Sequence, residues 1–173
     1  MIRTKKDLKE YLEADRLAMD VKRKHPRIFG DEVWKYEVIL RKCEYYLNVK
    51  GHPILKRYYY ARHHFKSIKL GILIPPNAFG KGLRVVHCGG IVVNPEMTGG
   101  GENCTIHQGV TIGKGSDGLV PKLGDNVWIG AGAKIFGGIE IADGCKIGAN
   151  AVVNRSCTEQ GKTIVGVPAK VVR

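Results

Sequence analysis

No apolar run in this 173-residue chain approaches the roughly 20 residues that cross a bilayer as a helix. The N-terminus also lacks the short apolar core of a signal peptide, so a soluble cytoplasmic protein is expected. Acidic residues are scarce, 16 against 28 Lys and Arg. Cysteine numbers five, an odd count that argues against a disulfide framework. No zinc-ligand spacing, recognition-helix pattern or aromatic RNA signature accompanies the positive charge, so a nucleic-acid partner is not expected. The charge is read instead as a solvated face, a subunit contact or an attraction for an anionic cofactor.

The charge is unevenly placed. Residues 1–70 hold 18 Lys and Arg against 9 Asp and Glu, whereas residues 71–173 hold 10 against 7. All seven tyrosines fall in the first segment. Thr4 can cap a helix from Lys5 to about Lys24, and Asp31 can cap a second through about Val49. Pro53 can open a third that runs to about Ser67. A helical region over 1–70 is expected, with a different architecture over 71–173.

That second architecture announces itself by its period. Leu123, Ile129, Ile135, Ile141, Ile147 and Val153 recur every sixth residue. Four places after each come Val127, Ala133, Ile139, Cys145, Ala151 and Cys157. Neither a helix nor an alternating strand has a period of six. A coil of three short strands does, with both series turned inward and each coil hydrogen-bonded to the next. Gly124, Gly130 and Gly148 follow the aliphatic residue at corners, where a side chain would be a burden and where glycine alone takes a positive φ freely. Ile106 and Ile112 extend the spacing backward. Gly113–Lys122 and Asn94–Gly101 interrupt it and read as loops leaving the coil.

The segments Gly80–Val93, Thr105–Gly113, Ile129–Ile135 and Val165–Val171 resemble the hexapeptide acyltransferases. Within them the chain is most similar to the serine acetyltransferases and their relatives in surface-polysaccharide gene sets. The resemblance covers about 72–173. It implies a mainly β fold, a left-handed parallel β-helix preceded by a short α-helical region, against the usual right-handed crossover. It also implies a homotrimer with active sites between neighbouring coils, extended to a hexamer where N-terminal helices join two trimers. Acetyl-CoA is the implied co-substrate, and no metal is required.

By its place in that motif, His87 is the expected general base. An alcohol is a weak nucleophile at neutral pH, and an imidazole can take its proton as it attacks the thioester. The matching family positions hold an aspartate just before the histidine and another fifteen residues upstream; here they are Val86 and Ile72. The family's histidine in the inserted loop is also missing. Glu96 and Glu102 are therefore candidates to orient His87 or contact the acceptor, as is His107. By position, Ala131, Gly132, Ala149 and Lys170, with Arg173 near it, are candidates for binding coenzyme A. Serine is the first acceptor to expect and a saccharide hydroxyl the second. A non-catalytic trimeric scaffold is a third reading. A zinc lyase needs three converging histidines, and the coil region holds only His87 and His107.

Overall fold

The computed structural model describes residues 1–172. Helix α1 is Lys5–Ala18, α2 is Glu32–Asn48 and α3 is Pro53–Leu70. Thr4 caps α1 as expected, in a reciprocal capping box with Asp7. The helix stops six residues short of Lys24, because Met19 forms its C-cap and Asp20 takes a left-handed backbone. Asp31 precedes α2 but does not cap it; its carboxylate instead accepts from Arg27 N and Arg23. Helix α3 runs three residues beyond Ser67, until Gly71 turns left-handed.

Short strands follow: β1 (Ile72–Leu73), β2 (Arg84–Val85), β3 (Ile91–Val93), β4 (Thr105–Ile106), β5 (Thr111–Gly113), β6 (Lys122–Leu123) and β7 (Trp128–Ile129). They continue as β8 (Lys134–Phe136), β9 (Glu140–Ile141), β10 (Lys146–Ile147), β11 (Val152–Val153), β12 (Thr163–Gly166) and β13 (Ala169–Val171). They form three parallel ladders, the faces of a prism of about five turns. One face runs β1-β3-β5-β8-β11, the second β2-β4-β7-β10-β12, and the third is β6-β9 with bridges beyond it. Register is set by the inward aliphatic residues: Val85, Ile106, Ile129, Ile147 and Ile164 stack down one face, all buried. Both six-residue series read from the sequence are buried throughout. At the far end β13 folds back antiparallel onto β12.

The corner glycines bear out one of the two reasons expected of them, the lack of room for a side chain, and not the other, a positive φ. Gly124, Gly130 and Gly148 do not have positive φ. They are small because the neighbouring coil passes too close: a Cβ on Gly130 would lie 2.7 Å from Ala149 N. The left-handed positions come two residues later, at Asn126, Gly132 and Asn150.

The first coil has no coil above it, so its backbone groups need other partners. The helices supply them. Leu83 N donates to Asp15 Oδ1 at 2.9 Å, Val85 N to Glu37 Oε1 at 2.7 Å and Asn77 N to Glu44 Oε1 at 2.8 Å. Arg41 donates to the carbonyls of Phe79 at 3.0 Å and Gly80 at 2.6 Å. Its guanidinium also holds Asp15 at 2.7 Å and Glu44 at 3.0 Å. Tyr36 and Leu40 join the core of the prism, so α2 packs on the coil through apolar and polar contacts alike.

Candidate active site

The site forms along the edge where strands of the second face end. His87 follows β2 there and is exposed. One coil below, His107 follows β4 and is half-buried; the two rings lie 6.5 Å apart. Below that come Ala131 and Gly132 after β7, then Ala149 after β10. Backbone bonds run down this edge: Gly109 N to Gly89 O, Gly132 N to Gln108 O and Asn150 N to Ala131 O, each within 2.9 Å. Lys170 closes the series, paired with Val165 in the terminal hairpin. Coils stack about 4.8 Å apart, so about 14 Å separates the level of His87 from that of Ala149. Residues chosen from the sequence for two roles thus share one straight edge. Arg173 lies outside the described residues.

Three neighbours escaped the sequence reading. Trp128 on β7 points outward and meets the His107 ring edge-on at 4.8 Å. Arg84 on β2 is exposed beside the histidines. Lys134 on β8 donates to Gly109 O at 2.6 Å and to Thr111 Oγ1 at 3.0 Å. All occupy outward slots, where a period set by inward residues carries no information. Burial, followed by the charges of His87 and Arg84, holds the His107 pKa below the usual imidazole value. At neutral pH its ring is therefore uncharged. The side-chain oxygen of Gln108 is buried on the same edge and has no hydrogen-bond partner among the described residues.

Neither expected carboxylate comes to His87 within the chain. Glu96 follows β3, one corner away, and pairs with Lys114. Glu102 precedes β4, at the opposite end of that strand from His107, and pairs with Lys81 at 3.7 Å. Val86 is half-buried, and Ile72 is fully buried in β1, so neither position offers a polar group. Arg84 and Lys134 give the edge a cationic character that suits an anionic ligand. No group of three or more His, Cys, Asp or Glu that could hold a metal is found among the described residues.

A prism of hexad coils with histidines on one edge defines a class, and comparison with known proteins specifies it. Residues 121–155 match the family model of bacterial transferase hexapeptide (six repeats). A solved serine acetyltransferase in complex with CoA is 30% identical, with a TM-score of 0.72, over 96% of this chain and 68% of that one. The chain belongs to the hexapeptide-repeat acyltransferases, in their serine acetyltransferase-like branch, and its coil is the left-handed parallel β-helix. A serine acetyltransferase of Synechococcus elongatus is 34% identical over 139 residues, 78% of this chain and 55% of that protein. One from Staphylococcus aureus is 44% identical over 107 residues, 60% of this chain and 49% of that protein. The chain thus spans about half the length of these curated relatives.

Proposed function

We propose that the protein is an acetyl-CoA-dependent O-acetyltransferase that transfers acetyl directly to the hydroxyl of serine. The observation that carries this reading is the single edge on which exposed His87 is followed, coil by coil, by Ala131, Gly132, Ala149 and the Lys170 hairpin. The thioester donor lies along that edge with its acetyl group at His87. Its pantetheine amides meet backbone groups at the small corner residues, and Gln108 Oε1 accepts from one of them. Lys170 meets the phosphates.

His87 takes the hydroxyl proton as the oxygen attacks the acetyl carbonyl. Backbone N–H groups of a corner hold the oxyanion. When the C–S bond breaks, the imidazolium returns the proton to the leaving thiolate. His107, uncharged at neutral pH, contacts the acceptor without adding a second proton. The coils over 71–173 carry this chemistry, and the helical region over 1–70 caps them. The working unit is a cytoplasmic homotrimer in which a neighbouring subunit completes the edge.

Two observations favour a second acceptor. Among the described residues neither expected carboxylate stands beside His87 to receive an ammonium group, and Trp128 offers an aromatic surface nearby. Both features suit a saccharide hydroxyl. Acetyl-CoA turnover against serine and a panel of sugars decides between them. His87→Ala is expected to lower turnover about a hundredfold or more; near-normal turnover removes His87 from the role of base. Failure to bind coenzyme A by calorimetry would favour the scaffold reading.

A further inference from the structure

Helix α3 keeps much of its apolar surface outside. Its inner face fully buries only His63 and Ser67, both polar, beside Leu70 against the core and Tyr59 stacked on Tyr46. Its outer face carries Ile54, Tyr58, Ala61, Phe65 and Ile68, spaced four, three, four and three apart, which makes one continuous stripe. All five are exposed, Phe65 at 70%. Arg57 flanks the stripe on one side, and Arg62 and Lys69 flank it on the other. The eighteen residues of α3 include five Lys or Arg and no acid. The segment 21–30, between α1 and α2, has the same composition. It holds Lys22, Arg23, Lys24 and Arg27, no acid, and a protruding pair, Ile28 and Phe29, exposed at 86% and 89%.

These two elements are contiguous. Pro26 of the loop, Val38 and Lys42 of α2, and Tyr58 and Phe65 of α3 line one shallow groove. The carboxylates at its border are already engaged: Asp31 by Arg23, and Glu32 by both Lys35 and Lys66. Lys22, Lys24, Lys42, Arg57, Arg62 and Lys69 form no ion pair among the described residues.

We infer that this face docks on the surface of an anionic lipid bilayer. The stripe of α3 and the Ile28–Phe29 tip enter the boundary between headgroups and acyl chains, and the surrounding Lys and Arg meet lipid phosphates. Long cationic side chains can lie along apolar surface while their charged ends reach outward. A second copy of the chain fits the face poorly, because it would set cations against cations. An acidic helix could fill the groove, but it would leave the convex Ile28–Phe29 tip in water. This contact would be a peripheral one, since no helix among the described residues is long and apolar enough to cross a membrane.

The test is co-sedimentation of the full chain with phosphatidylcholine vesicles, with and without phosphatidylglycerol. Binding is expected only with phosphatidylglycerol, and it should weaken as salt rises. Phe29→Ser should lower partitioning about tenfold. Arg62→Gln and Lys69→Gln should each lower it about fivefold. These side chains are exposed, so circular dichroism and melting should be unchanged. Absence of lipid-dependent binding overturns the inference, as does binding that these variants leave intact. So does a fall in assembly mass by sedimentation equilibrium for Phe65→Ser, which would put a second copy on the face. Binding to polyglutamate but not to vesicles would assign the face to an acidic protein and overturn it equally.

Discussion

Replacing Arg41 with Met should partly undock the helices from the prism. The Arg41 side chain is fully buried and holds two carboxylates, Asp15 and Glu44, and two carbonyls, those of Phe79 and Gly80. Met fills most of the volume but donates nothing. Two buried acids then lose their cation and keep only the backbone donors Leu83 N and Asn77 N, and two carbonyls of the first coil lose the guanidinium that bonds them. Breaking a buried ion pair by removing one partner costs about 3–5 kcal/mol. In a chain of this size each kcal/mol shifts the melting temperature by about 2–4 °C, so a fall of about 10 °C is expected. The loss should be smaller in mild acid. Burial already pushes the Asp15 and Glu44 carboxyls above their ordinary range, and protonated acids need no cation. Arg41→Lys should fall between, because an ammonium cannot span both carboxylates and both carbonyls. Calorimetric melting gives the magnitude, and hydrogen exchange gives the location: α1 and α2 should exchange faster while the central coils stay protected. A melting temperature within about 2 °C of the parent would show that apolar contacts alone hold the helices, and would refute this account of the cap.

Glu37 should titrate in the opposite sense from a surface acid. It is wholly buried, with one oxygen accepting from Val85 N and the other without a partner among the described residues, and burial raises its carboxyl well above the usual range. The unfolded chain ionises at an ordinary pKa while the folded chain holds its proton, so this group costs stability as pH rises. Glu37→Gln keeps the acceptor and should therefore melt higher than the parent at pH 7 but not at pH 4. His63 is pushed down to about 4 by burial, so it charges in the unfolded chain first. About 3 kcal/mol of stability should disappear between pH 6.5 and 4, and His63→Gln should flatten that stretch of the denaturant-midpoint profile. Gly101→Ala would place a Cβ 1.8 Å from Gly124 O and 2.7 Å from Asp125 N, both backbone atoms of the next coil that cannot swing aside. It should cost at least about 3 kcal/mol by denaturant titration; a loss below about 1 kcal/mol would show that the coils separate readily.

The prism was legible because its period is unlike any other. Both six-residue series stay inside along their whole length, and Gly113–Lys122 leaves the coil where the spacing breaks. Asn94–Gly101, expected as a second such loop, instead stays on the third face: Met97 is buried, Gly100 bridges Phe79 and Gly101 N donates to Leu123 O, because glycine holds a rung there without an inward aliphatic side chain to mark it. The cap was not legible. Asp15, Glu37, Arg41 and Glu44 sit on helices, where charge ordinarily faces water, and Leu83 N lies 68 residues from the acid that receives it. No local pattern connects such partners. Helix α3 misleads for a related reason, since its apolar stripe faces outward. At the candidate site, motif and position point to the histidine and the small corner residues, whereas Trp128 and Arg84 stand where the repeat is silent. The early stop of α1 turns on the left-handed backbone of a single aspartate, Asp20, a conformation that composition does not announce.

The reversed hairpin at the far end has a further consequence. A stack of parallel coils is a surface that invites its own continuation: each exposed rung can accept the rung of another molecule, and that one can accept the next. By running β13 against the direction of the other strands, the chain ends one wall of the prism with a rung of the wrong polarity. The helices obstruct the opposite end with side chains instead of strands. A molecule stripped of either stopper would be expected to grow lengthwise into filaments rather than remain a discrete particle.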